Sequence, residues 1–288
     1  MHLQVLASGS GGNATLVRAG EMALLVDAGL AHDELEQRLA AVGQPLFKLD
    51  VIVLSHGHLD HARAAGILSK KSGARVWCST AMMSNATVKR AHALGALAIG
   101  GTSELAARRG PERVRVTSVV LPHDADPTVA LVLEHEGRRA AVCTDMGSFD
   151  ADVARALAVA HVLVLEFNHD EELLARGPYT PALKRRVAGP RGHLSNAEAS
   201  AVLRVAAGPG ARIAYGPGGL LALEGDVLPR QDRVAGAAVI SESKILVVTK
   251  TSIEAWDGAR WTLILDRRPG DQWEGVAGDD ESELAVEF

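Results

Sequence analysis

Residues 54–68 read LSHGHLDHARAAGIL, and the six residues from His56 to His61 hold three histidines and one aspartate. Neutral imidazoles and carboxylates are the donors that divalent cations take from proteins. His56 and His58 stand two apart, so an extended backbone turns both side chains to one side. Asp60 and His61 follow where the chain turns into a helix, and they point another way. One loop can therefore serve two neighbouring metals, and two metals about 3.5–4 Å apart can clamp a phosphate or a carbonyl. A loop of solvated, helix-capping histidines is the plainer alternative. The density of donors directly after an apolar run argues against it.

Other residues suit a substrate with phosphates. Lys184, Arg185, Arg186 and Arg191 form a basic patch in a chain of net charge −5. Such cations hold and position a nucleic-acid backbone, though a solvated helix face has the same composition. The turn Ser8-Gly9-Ser10-Gly11-Gly12-Asn13 is glycine-rich but leads into a strand. That argues against a P-loop or dinucleotide fingerprint, both of which need a helix N-terminus. It reads either as a tight hairpin or as a loop whose amides, with Ser10 or Asn13, line a substrate cleft. His193 precedes a capped helix and is a candidate proton donor or phosphate contact, with Asn196 beside it as a further substrate contact. His169, in Phe-Asn-His-Asp, is a candidate ligand, a substrate contact or a loop cap.

Strands must deliver these residues. Residues 2–7 and 14–17 flank the glycine-rich turn, and 22–26 form a third strand ending at Asp27-Ala28-Gly29. Spacing of Leu35, Leu39 and Val42 predicts a helix over 33–42. Residues 51–54 are a short apolar strand before the histidine loop, and 63–71 look helical. A strand is expected at 75–78, a helix at 80–94, strands at 114–120, 128–135 and 139–143, a helix at 150–158 and a strand at 162–167. Ser195 and Glu198 form a capping box for a helix over 195–206. Strands pair first as hairpins and then alternate with helices, so sheets covered by helices on their outer faces are expected.

After about position 228 the pattern changes to short strands at 237–240, 244–249, 253–256 and 261–265, with Asp257-Gly258 as a hairpin signal. The last fifteen residues carry six acids and no base and read as a disordered tail. We expect three regions: a hydrolase domain over 1–228, a strand meander over 229–273 and the acidic tail over 274–288. Composition is that of a soluble protein, 47% hydrophobic and 23% charged, with only 3% aromatic, so Leu, Val and Ala must fill the core. No long apolar run suggests a membrane span, and nothing at the N-terminus resembles a signal peptide. The two cysteines, Cys78 and Cys143, lie far apart, which points to a reducing cytoplasm.

On its histidine motif the chain resembles the metallo-β-lactamase fold superfamily: His56-Gly57-His58-Leu59-Asp60-His61 looks like that family's signature. The resemblance implies an α+β four-layer αβ/βα sandwich with a dinuclear site at one edge of the two sheets, here with a C-terminal β-rich extension. Asp27, in Leu-Leu-Val-Asp-Ala-Gly, resembles the early aspartate that orients the loop from behind the ligands. His123, in Leu-Pro-His-Asp-Ala-Asp-Pro, resembles the third histidine of the first site, and Asp145, in Cys-Thr-Asp-Met-Gly, the bridging carboxylate. So His56, His58 and His123 would hold one metal and Asp60, His61 and Asp145 a second. A narrower resemblance over 1–215 rests on LASGSGGNAT, LPHDADP, CTDMG, LEFNHDEELL and LKRRVAGPRGHLSNAEA. These look like the YycJ/WalJ branch, treated as metal-dependent 5′→3′ DNA exonucleases linked to DNA repair. That implies phosphodiester hydrolysis of DNA with one or two divalent ions, Zn²⁺ or Mn²⁺, with Asp60 taking the proton of the attacking water.

The branch usually adds a late histidine in an Ala-His-Leu-Ser segment. Here residues 212–219 read RIAYGPGG, and no histidine follows His193. Three arrangements are compatible with this: His169 or His193 completes the second site, water completes it around Asp60, His61 and Asp145, or the protein is mononuclear or inactive. Two other functions stay open, a metallo-hydrolase of thioesters, lactones or β-lactams, and a degenerate metal site that binds DNA or a partner. A homo-oligomer and a protein partner for the C-terminal region are also left open.

Overall fold

Met22–Val26 is apolar at every position, as a strand covered on both faces must be. In this computed structural model it lies third in a six-stranded sheet. The structure describes residues 1–206 except Asp126 and the side chain of Arg204, and beyond them the backbone of eight strands. Contacts divide the chain into two units, Met1–Gly208 and Pro209–Phe288.

The first sheet holds β1 (His2–Ala7), β2 (Ala14–Ala19), β3 (Met22–Val26), β4 (Val51–Val53), β5 (Arg75–Cys78) and β6 (Ala93–Ala96) in sequence order. β1, β2 and β3 run antiparallel, and β3 through β6 run parallel. The second sheet holds β7 (Thr102–Ala106), β8 (Arg113–Leu121), β9 (Thr128–His135), β10 (Arg138–Cys143) and β11 (Val162–Leu165). Its order is β11-β10-β9-β8-β7, antiparallel except for the β10–β11 pair.

Period-two alternation sorts the buried side chains into two layers. Met22, Leu24, Val26, Val51 and Val53 face the second sheet and pack with Leu105, Val114, Val116, Leu131 and Val142. Leu25, Ile52 and Val76 face outward, against Leu35 and Leu39 of α1 (His32–Ala41) and Leu68 of α3 (Ala65–Ser72). The short helix α2 (Leu59–Ala62) lies between them in sequence. On the far side α4 (Ala151–Leu157) packs on β8 and on α7 (Asn196–Ala206). Two further helices, α5 (Glu171–Arg176) and α6 (Pro181–Val187), connect β11 to α7. Helix, sheet, sheet, helix is the expected four-layer αβ/βα sandwich. The capping box is present: Glu198 N–H donates to Ser195 Oγ at 3.3 Å and Ser195 N–H to Glu198 Oε2 at 3.0 Å.

One expected element is corrected. The helix predicted over 80–94 is instead a 3₁₀ turn, Thr80–Ser84, then turns, then strand β6. Gly66 N–H binds Thr87 O at 2.9 Å, and a Cβ at Gly66 would stand 2.5 Å from that oxygen. The segment is pinned down on α3 by this close approach, which a free helix would not allow.

In the second unit, Val234–Ser241, Lys244–Thr249, Ser252–Trp256 and Trp261–Asp266 form an antiparallel meander. Ile213–Gly216 pairs with Gly219–Ala222. Within the acidic stretch Gly275–Ala277 pairs with Ala285–Glu287. The boundary expected at 228 and the Asp257-Gly258 turn lie outside the described residues. Among the described residues no helix is long and apolar enough to cross a membrane.

Candidate metal centre

Five strands end at one edge of the sandwich, and each delivers a polar residue there. Asp27 follows β3, Ser55 and His56 follow β4, His123 follows β8, Asp145 follows β10 and Glu166 follows β11. Crevices outside the carboxyl ends of strands are where open sheets bind ligands. Backbone bonds lock the ends together: Asp27 N–H to Val53 O (2.9 Å), Val129 N–H to Ser55 O (3.1 Å) and Gly147 N–H to Pro122 O (2.6 Å).

Asp27 organises the loop from below. It is buried and sits at φ +61°, a region that Asp tolerates better than most residues. Its Oδ1 accepts the Ser55 amide at 2.8 Å, and its Oδ2 accepts His61 Nδ1–H at 2.8 Å. Ser55 Oγ–H also donates to the carboxylate, and its lone pairs accept from His56 Nδ1–H at 3.0 Å. His123 Nδ1–H donates to Gly192 O at 2.8 Å. Three buried rings thus direct one nitrogen outward to an acceptor and the other inward, as metal-ligating histidines do.

The inward atoms converge. His56 Nε2 lies 3.1 Å from His58 Nδ1, which lies 3.4 Å from His123 Nε2. Asp145 Oδ2 lies 2.6 Å from His61 Nε2 and 3.4 Å from His56 Nε2, and its Oδ1 lies 3.0 Å from His193 Nδ1. The donors form three overlapping sets: His56, His58 and His123; His56, His61 and Asp145; His123, Asp145 and His193. Asp145 therefore belongs to two of the three sets. Its Oδ2 is buried and makes no hydrogen bond, because the nearby His61 nitrogen is not aligned for one. An orphaned carboxylate oxygen among inward imidazole nitrogens is what a divalent cation would satisfy.

The electrostatics agree. Burial, reinforced by His61, pushes the His56 pKa down to about 2, so this ring is neutral and able to ligate. Burial lowers His123 in the same way. Burial also opposes charge on His61, but Asp27 and Asp145 outweigh it and hold its pKa well above the usual value. A divalent cation held by His61 would have to displace a proton, so its uptake would release protons.

Other sequence-predicted residues fall into distinct places. Asp60 is half-exposed, with Oδ2 3.8 Å from His61 Nε2, at the rim of the second set. Asn13 is buried; its amide reaches His61 Nε2 at 2.9 Å and Gly9 O at 3.2 Å, and its backbone N–H binds Asp60 O. It braces the loop. Gly29 completes this packing, since a Cβ there would stand 1.6 Å from Asp60 O. Ser10 is exposed. Among the described residues His169 stands outside the three donor sets, and its Nδ1 is buried without a hydrogen-bond partner, as is Asn196 Oδ1. The basic patch divides: Lys184 Nζ donates to Ala175 O, Arg186 Nε to Asp124 Oδ2 and Arg191 Nε to His123 O, while Arg185 is exposed. The side chains of residues 212–219 lie outside the described residues.

Three residues were not singled out from the sequence: Ser55, Asp124 and Glu166. Glu166 is buried; its Oε1 accepts the Met146 amide and its Oε2 lies 3.1 Å from His193 Nδ1. It ties the peptide after Asp145 to the His193 ring. Burial pushes Glu166 up to about 7, whereas its carboxylate and Asp145 carry His193 up to about 10 against its own burial.

Comparison with known proteins agrees with this geometry. The profile of the Metallo-beta-lactamase superfamily matches residues 7–216. The Bacillus anthracis protein named Exodeoxyribonuclease YycJ is 28% identical over 208 residues, covering 69% of this chain and 75% of its own length. Exodeoxyribonuclease WalJ of Streptococcus pneumoniae serotype 2 is 29% identical over 203 residues, with the same two coverages. Among solved structures, the metallo-beta-lactamase fold protein YhfI from Bacillus subtilis superposes with a TM-score of 0.52 at 21% identity, over 71% of this chain and 81% of that one. Fold, strand-end donors and profile lead to one conclusion: this chain belongs to the metallo-beta-lactamase superfamily.

Proposed function

We propose that this protein is a metal-dependent phosphodiesterase that degrades DNA from the 5′ end. The observation that carries this reading is the convergence of His56, His58, His61, His123 and Asp145 on one pocket, with Asp145 in two of the three donor sets. The names of the two bacterial relatives support DNA as the substrate. In this reading His56, His58 and His123 hold one ion, and His61, Asp145 and Asp60, with His56 or His193 alongside, hold a second. The ion is Zn²⁺ or Mn²⁺, and the family resemblance favours Mn²⁺. A divalent metal at such a site supplies Lewis acidity that polarises a phosphoryl oxygen and acidifies water.

The chain's own groups do the rest. Asp60, at the rim, accepts the proton of the attacking water. His193, held by Asp145 and Glu166, contacts the phosphate or returns a proton to the leaving oxygen. Arg185, exposed on α6, draws the DNA backbone toward the strand ends. We place this activity in the cytoplasm, in DNA repair; two buried free thiols suit a reducing compartment.

Internal engagement of Lys184 and Arg186 weakens the basic patch and favours a second reading, a thioester, lactone or β-lactam substrate on the same donors. One experiment separates them. The purified protein is given 5′-phosphorylated oligonucleotides or a chromogenic lactam and lactone, each with Mn²⁺, with Zn²⁺ and with EDTA. Cation-dependent loss of nucleotides from the 5′ end is expected. Hydrolysis of the small substrates alone would overturn the nuclease reading.

A further inference from the structure

His58 differs from the other inward histidines. The side chains of His56, His61 and His123 are at most 1% exposed, so packing fixes their rings. His58 is 31% exposed and has no such walls. Its Nδ1 faces His56 and His123, so its ring needs an outer partner at Nε2 to hold that orientation. Among the described residues the carboxylate nearest that nitrogen is Asp124, whose Oδ1 makes an ion-pair contact at 3.3 Å with His58 Nε2 and an equal one at 3.3 Å with His123 Nε2. Asp124 is itself held: Arg186 Nε donates to its Oδ2 at 2.6 Å.

We propose that Asp124 and Arg186 are a positioning pair: Arg186 anchors Asp124, and Asp124 orients His58 so that Nδ1 faces the metal pocket. This rests on the metal-centre reading above. It moves Arg186 from the substrate-binding cations to the support of a ligand. An Nε-to-carboxylate bond leaves the two terminal nitrogens of Arg186 without a hydrogen bond among the described residues, and its side chain is 58% exposed. The same guanidinium can therefore meet a substrate phosphate, two contacts away from His58 through Asp124.

The test measures metal affinity rather than turnover. Zn²⁺ binding is titrated in competition with a chromogenic chelator for the full chain and for Asp124→Ala, Asp124→Asn, Arg186→Ala and Arg186→Lys. The Co²⁺-loaded visible spectrum is recorded for each. Loss of a carboxylate partner behind a ligating histidine weakens affinity about 10–100-fold, and that is expected for Asp124→Ala. Arg186→Ala is expected to weaken affinity less, and the double variant to match Asp124→Ala alone, because the two act in series. Arg186→Lys should recover only part of the loss. Both side chains lie at the surface, and Asp124→Asn keeps the size, so the comparison does not depend on one variant folding.

Wild-type affinity and spectrum in Asp124→Ala and Asp124→Asn would overturn the proposal. So would independent, multiplying effects of the two alanine variants. Arg186→Ala that binds metal normally but binds DNA weakly would return Arg186 to substrate contact alone. Absence of Zn²⁺ and Co²⁺ binding by the unaltered protein would sink the metal-centre reading itself, and is seen before any variant is compared.

Discussion

Asp27→Asn separates ligand orientation from loop stability. Asn is nearly the same size, tolerates positive φ and keeps Oδ1 for the Ser55 amide. What changes is the atom opposite His61 Nδ1, where an acceptor becomes an NH₂ donor. Two donors cannot face each other at 2.8 Å, so the ring gives up its Nδ1 proton: Nδ1 accepts from the introduced side-chain amide and Nε2 keeps its N–H. That N–H then points at Asp145, where a lone pair is needed for a cation. Restoring the ligating tautomer forfeits a hydrogen bond to a charged group, about 1.5–3 kcal/mol, which is about 10- to 150-fold in affinity. The assay is metal stoichiometry and competition titration, with thermal melting alongside. Affinity should fall by that factor while Tm falls by only a few degrees. Unchanged affinity with a lowered Tm would refute the tautomer argument and leave Asp27 as a loop support.

Three further outcomes follow from the same geometry. Glu166→Gln keeps an acceptor for the Met146 amide but removes the charge that holds His193; cleavage assays should show kcat lower by about tenfold or more with KM nearly unchanged, and an equal fall in both would contradict this. Gly29→Ala drives a Cβ onto Asp60 O, so melting should show a loss of about 3 kcal/mol or more, a Tm fall of roughly 6–12 °C, and a wild-type melt would disprove the contact. Burial pushes the Cys78 thiol up to about 11 and Cys143 well above its usual value, so both stay protonated at pH 8; iodoacetamide should label neither in the folded protein and both in denaturant, as mass spectrometry would read.

Much of this site is legible in the sequence because its ligands cluster in the chain. His56 to His61 sit in one loop directly after the wholly apolar strand β4, so that strand end and its donors are read together. The supporting residues are hidden for a physical reason. Glu166 is one acid after a strand, and only the packing of β11 beside β10 shows that it is buried against His193. Asp124 adjoins His123 in sequence, yet its carboxylate also reaches His58, far back in the chain. The four cations after 183 read as one patch; side-chain reach then sends Lys184, Arg186 and Arg191 to Ala175 O, Asp124 and His123 O and leaves Arg185 exposed. Residues 80–94 misled in the opposite direction, since their alanines favour a helix locally and the Gly66–Thr87 contact overrides that preference.

The central claim is that the histidine loop, His123 and Asp145 form a metal centre. Its most direct test is metal content per chain by mass spectrometry after purification without chelator, repeated after soaking in Mn²⁺ and in Zn²⁺, with His58→Ala prepared in parallel. The account predicts one or two ions per chain in the unaltered protein and fewer in the variant. No ion above the blank in the unaltered protein under any of these conditions, or equal content in His58→Ala, would contradict it.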